Sequence, residues 1–411
     1  MRTMMQNKLT QPEILAPAGD WERFEAALDF GADAVYLGGT QFGMRAASAR
    51  FTPELLEKAT RLAHQRGKRV YLTCNTLPRN QEIPLFEGFL EQAVACQVDA
   101  LIVADLGLLA LVRQYAPDMP IHMSTQTGIV NYAAANQLYQ MGASRVVLAR
   151  ELSLDEIAEI RAKTPKELEI EAFVHGAMCV SYSGRCLLSN YMTGRDAQRG
   201  ACAQPCRYQY ALMEEKRPGE YFPVFEENGE TYIMNSRDMC MIDHVPELLE
   251  AGVDALKIEG RAKSAYYAAA VTNAYRHAVD AALAGEPLDP VWRAEVDKVS
   301  HRPYSTGFWF GPPGQYTGDA RYIRRWQVVA VVESCDGEGN AVLSLRNKFA
   351  AGDELELIGP GLDPLAFRVP RMTDLEGAPL REPRTPQMRF SMRLPRPAPA
   401  LSILRACREH S

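Results

Sequence analysis

The chain has 411 residues, 47% of them hydrophobic and 23% charged, and a formal net charge of −6 at pH 7. This is enough apolar material for one large core and a second, smaller domain. No uninterrupted apolar stretch reaches the ~18 residues of a membrane span, and the first residues contain no apolar run of signal-peptide length. The sequence therefore excludes a membrane-protein class, and we expect a cytoplasmic protein.

Short apolar runs rich in Val, Ile and Leu recur along the first two-thirds of the chain and predict parallel strands. In chain order they are EILAPAG, DAVYLGG, RVYLTCNT, DALIVAD, PIHMSTQT, RVVLAR, EIEAFVHG and DALKIEG. Segments with apolar residues at helical spacing lie between them, such as TPELLEKATRLAHQRG, IPLFEGFLEQAVACQ and SLDEIAEIRAK. The alternation predicts a TIM-like α/β barrel over residues 1–285, with an open doubly wound sheet as the alternative.

Five of the nine cysteines lie in one predicted insertion, at about residues 176–240, between the seventh and eighth strands. Because thiols stay reduced in the cytoplasm, this clustering indicates metal binding or catalysis rather than disulfides. Four thiolates suit an iron-sulfur cluster or a structural zinc ion, and unliganded buried cysteines are the remaining alternative. The four candidate ligands are Cys179, Cys186, Cys202 and Cys206. Cys240 is a surplus thiol that could replace Cys206.

The same insertion is predicted to contain a further strand, TYIMNSRDM, and a further helix, IDHVPELLEAG. Composition then changes near residue 285, and residues 286–320, rich in Pro, Gly and aromatic residues, are predicted to be a linker. Alternating apolar and polar residues predict a small antiparallel β-barrel over residues 321–411. Residues 381–411 hold seven arginines and two acidic residues. This basic tail is either a charged surface, with arginines that can also pair with the acidic main domain, or a nucleic-acid contact.

Polar and charged residues follow several of the predicted strands. The carboxyl ends of barrel strands converge on one mouth, where such folds place their chemistry. The candidates at these ends are Asn75, Gln126, Asn131, Arg150, Lys257, Glu259 and Arg261. For each of these residues alone, a hydrogen bond that braces a loop is as good an explanation as a ligand contact. The predicted site therefore depends on the residues occurring together at the strand ends.

The segment HGAMCVSYSGRCLLSNYMTGRDAQRGACAQPCR resembles the signature of the collagenase-like peptidase family U32. EILAPAG, GADAVYLG, NSRDM and KIEGR are similar to the other sequence blocks of that family. Within the family, LRNKFAAGDELELI is similar to the branch of prephenate-dependent tRNA wobble-uridine hydroxylases. The resemblance implies formation of 5-hydroxyuridine in tRNA, a four-iron four-sulfur (4Fe-4S) cluster on Cys179, Cys186, Cys202 and Cys206, and prephenate as co-substrate.

The implied co-substrate gives roles to individual residues. Prephenate carries two carboxylates, for which arginine and lysine are the natural partners. The candidate cations are Arg45, Arg150, Lys257 and Arg261, and Arg185, which lies between the cysteines, is a further candidate for substrate binding. Glu259 or His175 is the candidate proton-transfer group. Whether a related partner subunit is needed stays open.

Two other functions remain as alternatives. The chain has no H-E-x-x-H motif, but His175 lies four residues before Cys179, so a peptidase is the runner-up among enzymes. A noncatalytic RNA-binding protein, in which the thiols hold zinc for structure, is the alternative from another class. Metal analysis distinguishes these functions, because iron with acid-labile sulfide favours the hydroxylase and stoichiometric zinc favours the structural role.

Overall fold

The computed structural model describes residues 10–44, 51–179, 181–207, 211–212, 222–223, 236–313 and 322–407. The strands are β1 (Glu13–Ala18), β2 (Ala34–Gly38), β3 (Arg69–Cys74), β4 (Ala100–Val103), β5 (Ile121–Met123), β6 (Arg145–Val147), β7 (Glu169–Ala177), β8 (Ala211–Leu212), β9 (Phe222–Pro223), β10 (Asp238–Cys240), β11 (Ala255–Ile258), β12 (Tyr304–Ser305), β13 (Trp326–Cys335), β14 (Asn340–Leu345), β15 (Glu354–Gly359), β16 (Leu362–Arg368), β17 (Met372–Thr373), β18 (Pro379–Leu380), β19 (Arg389–Arg393) and β20 (Ile403–Cys407). The α-helices are α1 (Trp21–Asp29), α2 (Pro53–Gln65), α3 (Phe86–Ala95), α4 (Leu106–Tyr115), α5 (Tyr132–Gln140), α6 (Leu154–Ala162), α7 (Leu188–Thr193), α8 (Val245–Glu250), α9 (Ala265–Ala284) and α10 (Pro290–Asp297). None of the helices in these described ranges is long and apolar enough to cross a membrane.

Eight parallel strands close into a barrel. Hydrogen-bonded neighbours follow the order β11-β1-β2-β3-β4-β5-β6-β7, and β11 also pairs with β7, so the ring has no open edge. The predicted barrel is confirmed, and closure through β11 excludes the open doubly wound sheet. All eight carboxyl ends therefore open on the same mouth.

Local sequence explains where the barrel elements begin. The helices α2, α4 and α6 follow Thr52, Asp105 and Ser153, whose side-chain oxygens accept a backbone N–H of the first turn. The strands are buried on both faces, as all four residues of β4 illustrate, because helices cover the outside and side chains fill the inside. The capped helices and the buried strands therefore hold the carboxyl end of each strand in a defined position.

The cysteine-rich insertion lies between β7 and β11, as predicted. Its strand β10 pairs antiparallel with β7, and β12 pairs with β10 on the other side. The predicted strand TYIMNSRDM is described only from Ser236 onward, where β10 begins at Asp238, and the predicted helix is α8. The segment predicted as a linker contains α10, which packs on α9 through the buried Trp292 and Val296.

A second sheet, formed by β13 to β20, is antiparallel throughout. Its strand order is β16-β15-β20-β13-β14-β19-β17-β18. It has an apolar core of its own, which includes Leu343, Leu357 and Phe390. The antiparallel class predicted for this region is confirmed.

The predicted basic tail is part of this sheet, because it supplies β19 and β20. Arg405 on β20 is fully buried, with Nη2 2.5 Å from Glu295 of α10 and 2.7 Å from Glu356 of β15. Arg389 on β19 lies 2.6 Å from Glu333. The prediction that the tail contacts nucleic acid is therefore wrong for Arg405. Its buried guanidinium pairs with Glu295 and Glu356, because a buried charge is stable only beside opposite charge. Arg408 lies outside the described residues.

Candidate functional site

A cavity of about 200 Å³, here called the mouth cavity, lies between the carboxyl ends of the barrel strands and the cysteine-rich insertion. Residues from β2, β3, β4, β7 and β11 line one side of it, because parallel strands end together at this edge. Most of the predicted site residues meet here: Asn75, Gln126, Arg150, Lys257, Glu259, Arg261, Cys179, Cys186, Cys202 and Cys206.

The four predicted cysteines all line the mouth cavity. The backbone N–H of Leu188 donates to Cys186 Sγ at 3.3 Å, and that of Gln204 donates to Cys202 Sγ at 3.4 Å. Donors of this kind place partial positive charge beside the two sulfur atoms. Cys179 is exposed as a residue, but burial of its thiol raises the pKa of that group, and the nearby Cys186 and Cys202 raise it further. The N–H of Ser181 and the charge of Arg150 act in the opposite direction.

The chemistry of this donor set fits a soft metal centre. Four sulfur donors around one cavity suit an iron-sulfur cluster or a tetrahedral zinc ion. In the positions that the structure gives to the described residues, no three His, Cys, Asp or Glu side chains form a metal-binding group. The described residues thus supply four sulfur donors of a type that suits such a centre.

Cys240 lies apart from these four cysteines. It is buried on β10 and does not line the mouth cavity. Burial raises the pKa of its thiol to about 12. Cys206 lines the cavity and Cys240 does not, so the structure places the surplus thiol in the buried core on β10.

Lys257 lies at the floor of the mouth cavity and is only 4% exposed. Its Nζ donates to Glu171 Oε1 at 2.6 Å and stands 4.7 Å from the centre of the Tyr36 ring. Burial lowers the pKa of Lys257 below its ordinary value, while the attraction of Glu171 opposes this shift. The floor therefore carries a cation that is shielded from water.

Arg261 is a second buried cation of the mouth cavity. Its Nη1 donates to Thr73 Oγ1 at 2.8 Å. The loop after β11 approaches β1 closely at Gly19, where an added Cβ would stand 2.0 Å from the Arg261 carbonyl oxygen. The glycine of EILAPAG thus permits the backbone contact that positions the guanidinium.

Two amides and an arginine complete the polar lining. Asn75 Nδ2 donates to Gln126 Oε1 at 2.9 Å, and Gln126 Nε2 contacts Met44 Sδ. Arg150 Nη1 donates to the Ala177 carbonyl oxygen at 2.9 Å, and its guanidinium lies 3.9 Å from the centre of the Phe173 ring. These contacts fix the side chains, which therefore present ordered polar groups to a ligand.

His175 does not line the mouth cavity. Its ring packs among Tyr267, Tyr275 and Tyr304, with centroid distances of 6.0, 5.5 and 5.3 Å. Burial, together with nearby cationic groups, lowers the pKa of His175 to about 3, so the imidazole is neutral at ordinary pH. The structure therefore does not bring His175 and Cys179 together in one cavity, as a cysteine peptidase would require.

Two other predicted residues, Asn131 and Arg185, do not line the mouth cavity, and for a third the structure gives no position. Asn131 is exposed and caps α5, with Oδ1 accepting the N–H of Ala134 at 2.9 Å. Arg185 is exposed and braces the loop after β5, with Nε donating to the Gln126 carbonyl oxygen at 2.9 Å. Arg45 lies outside the described residues.

Some residues of the mouth cavity escaped the sequence prediction. Tyr36 and Phe173 form its aromatic walls, and Glu151 holds the insertion in place by accepting the N–H of Ser183 at 2.6 Å. The two-residue alternation along β2 and β7 could have identified both aromatic residues as inward-facing. Nothing in the sequence near Glu151 indicates its partner, because Ser183 lies on the insertion.

Comparisons with known proteins agree with this architecture. Residues 19–319 match peptidase family U32, and residues 324–405 match the peptidase family U32 C-terminal domain. The tRNA hydroxylation protein P of Escherichia coli is 39% identical, covering 85% of this chain and 86% of the relative. A collagenase of Porphyromonas gingivalis is 32% identical with the same coverage, 85% and 86%. The 23S rRNA 5-hydroxycytidine synthase of Escherichia coli is 36% identical, covering 70% of this chain and 42% of that protein.

Proposed function

The chain belongs to peptidase family U32, and we propose that it hydroxylates the wobble uridine of tRNA to 5-hydroxyuridine. The observation that carries this proposal is the mouth cavity, which four cysteines and two buried cations line together. A peptidase needs a nucleophile beside a base, and His175 does not share the cavity with Cys179. The names of two relatives, which concern RNA hydroxylation, support the same function.

We further propose that Cys179, Cys186, Cys202 and Cys206 hold a 4Fe-4S cluster. The four sulfur donors that line one cavity, two of which accept backbone N–H groups, support this assignment. When bound, such a cluster supplies one-electron redox chemistry beside the substrate. The cluster requires iron and acid-labile sulfide in the purified protein, whereas the structural alternative requires zinc.

The cations of the mouth cavity support prephenate as the oxygen-donating co-substrate. A dicarboxylate needs positive partners, and three cations line the mouth cavity. Glu171 holds Lys257, the Thr73 hydroxyl holds Arg261, and the Ala177 carbonyl oxygen holds Arg150. Because their contacts fix these groups before a ligand arrives, little conformational entropy is lost on binding. The aromatic rings of Tyr36 and Phe173 give the apolar part of the donor a matching wall.

Glu259 is the residue proposed to hold or accept a proton at its carboxylate. Glu259 lines the mouth cavity, and two hydrogen bonds fix its backbone. Its N–H donates to the His175 carbonyl oxygen at 2.8 Å, and its carbonyl oxygen accepts from the Tyr267 hydroxyl. A carboxylate within reach of the substrate can act as a general base. His175 instead supports Glu259 through the backbone.

Mass spectrometry of tRNA nucleosides from a deletion strain tests the proposed function. Loss of 5-hydroxyuridine and its derivatives, with recovery on complementation by the wild-type gene but not by Cys186→Ser, is the expected result. The cellular assay supplies any partner subunit that the reaction needs. An unchanged nucleoside profile in the deletion strain would exclude the proposed reaction.

A further inference from the structure

A second cavity adjoins the mouth cavity. Its volume is about 460 Å³, and it lies between the loop before α9 and the beginning of β13. Ala177, Gln204 and Glu259 line both cavities, so the two spaces share a wall at the proposed proton-transfer residue. Nothing in the proposed reaction of prephenate uses this second cavity.

The lining of the second cavity combines aromatic rings with cations. Tyr266, Tyr267, Tyr322 and Trp326 supply the rings. Lys263 Nζ stands 3.9 Å from the centre of the Tyr322 ring and donates to the Ser300 carbonyl oxygen at 2.9 Å. Arg324, which is exposed, donates from Nε to Ser300 Oγ at 3.2 Å. Lys263 and Arg324 thus converge on Ser300 beside an aromatic wall.

This combination matches the chemistry of single-stranded RNA. Flipped or unpaired bases are recognised by stacking on aromatic rings, and the phosphate between them by lysine and arginine. The volume falls within the range of small-ligand sites. Two adjoining spaces suit a target base in the mouth cavity and a neighbouring nucleotide in the second cavity.

We infer that the second cavity binds the nucleotide next to the target uridine, with its base against Tyr322 and its phosphate on Lys263 and Arg324. The inference rests on the proposed function, because it places the RNA beside the proposed mouth of the reaction. It also assigns the RNA contact to the junction of the two domains, since Tyr322 and Arg324 immediately precede β13.

Arg324 and Arg325 form a matched pair for the first test. Both are exposed, but only Arg324 lines the second cavity. Binding of a fluorescent anticodon stem-loop RNA to the anaerobically purified full chain is measured by anisotropy at several salt concentrations. Arg324→Ala is expected to weaken binding about tenfold and to reduce the log-log salt slope by about 0.7, the value for one phosphate contact on a single strand. Arg325→Ala is expected to bind as the wild type does.

Tyr322 provides a test of the aromatic ring, which offers a stacking surface and also holds Lys263 Nζ at 3.9 Å from its centre. Tyr322→Phe keeps the ring face and should retain most of the affinity, whereas Tyr322→Leu has similar bulk without a π-system and should bind about tenfold more weakly. A role in packing alone would be satisfied by Leu as well as by Phe. Equal melting temperatures for the two variants would exclude misfolding as the cause of a difference in binding.

The outcomes separate this inference from the proposed function. Wild-type affinity in Arg324→Ala and in Tyr322→Leu, or equal losses in Arg324→Ala and Arg325→Ala, would overturn the assignment of the cavity. A wild-type chain that does not bind the stem-loop would overturn it as well. The nucleoside profile of the deletion strain is measured independently, so the hydroxylase can stand when the cavity assignment fails, and the RNA-binding result can stand when the hydroxylase fails.

Discussion

Lys257 Nζ and Glu171 Oε1 lie 2.6 Å apart at the floor of the mouth cavity, and the same carboxylate lies 3.1 Å from Arg145. Arg145 in turn lies 2.7 Å from Glu13, so charges of alternating sign continue through the barrel interior away from the mouth. Although burial opposes it, Lys257 and Arg145 hold the pKa of Glu171 below its ordinary value. The cation that we propose binds the donor is thus supported by a charge network inside the barrel.

Removal of Lys257 should destabilise the fold as well as impair donor binding. Breaking a buried ion pair by removing one partner costs about 3 to 5 kcal/mol, because the other charge stays buried without its full compensation. Lys257→Met is therefore expected to lower the free energy of unfolding by about 3 kcal/mol, measured by urea denaturation. Lys257→Met combined with Glu171→Gln should recover part of the loss. Equal stability of Lys257→Met and the wild type would contradict a stabilising role for the pair.

Arg405 and Arg389 allow a comparison of buried and surface pairs in the second sheet. Arg405→Ala leaves Glu295, which is 2% exposed, without its guanidinium partner and should cost about 3 kcal/mol or more. Arg389→Ala removes an exposed pair with Glu333 and should cost about 1 kcal/mol or less. Thermal unfolding of the two variants measures the difference, and similar melting temperatures would show that the domain junction does not depend on Arg405.

Acidification should destabilise the folded protein through His175. Its pKa is about 3 in the folded chain, against an ordinary value of 6.5, so between these values the unfolded chain binds a proton that the folded chain does not. Stability is therefore complete above the unfolded pKa and falls as the pH decreases. From pH 6.5 to pH 5 the loss from this group is about 2 kcal/mol.

The variant His175→Gln isolates this contribution, because the other titrating groups remain in place. Urea unfolding at pH 7 and pH 5 should show a smaller loss of stability in the variant than in the wild type, whatever the variant's absolute stability. The same loss in both proteins would mean that His175 is protonated in the folded state at pH 5.

Sequence patterns predicted the barrel and most of the mouth cavity because parallel strands must end at the same edge. Alternation along β7 would also place His175 inward, in line with Glu171 and Phe173. The register between β7 and β11 shifts between Lys257 and Ile258, and this irregularity turns His175 toward the tyrosines of α9. A β-bulge of this kind depends on the neighbouring strand, so periodicity within one strand does not reveal it.

The basic tail shows a second limit of sequence patterns. Counting arginines gives the charge of a segment but not the identity of its partners. Glu295 and Glu356, which bind Arg405, lie 110 and 49 residues away along the chain. Only the packing of the second sheet against α10 brings the three side chains together.

The cysteine assignment predicts the colour of the purified protein. Anaerobic protein should be brown, with broad absorption at roughly 400 nm from thiolate-to-iron charge transfer, and should contain iron and acid-labile sulfide. Cys179→Ser, Cys186→Ser or Cys202→Ser should abolish the absorption, because each removes a ligand that lines the mouth cavity. Cys240→Ser is the matched control and should stay brown, since Cys240 lies outside that cavity. A colourless preparation loaded with zinc would contradict the cluster.

Arg261 provides the sharpest test of the donor site. Arg261 is 6% exposed and its Nη1 donates to the Thr73 hydroxyl, and Gln keeps a hydrogen-bond donor at this position while it removes the positive charge. A charge-assisted hydrogen bond to a carboxylate contributes about 1.5 to 3 kcal/mol, which corresponds to a ten- to hundredfold change in affinity. Arg261→Gln should therefore keep the fold and the 400 nm absorption, yet bind prephenate about ten- to a hundredfold more weakly by calorimetry. Arg66→Gln removes a surface pair with Asp29 instead and should leave binding unchanged. If Arg261→Gln binds prephenate as tightly as Arg66→Gln does, the donor carboxylates are recognised elsewhere in the protein.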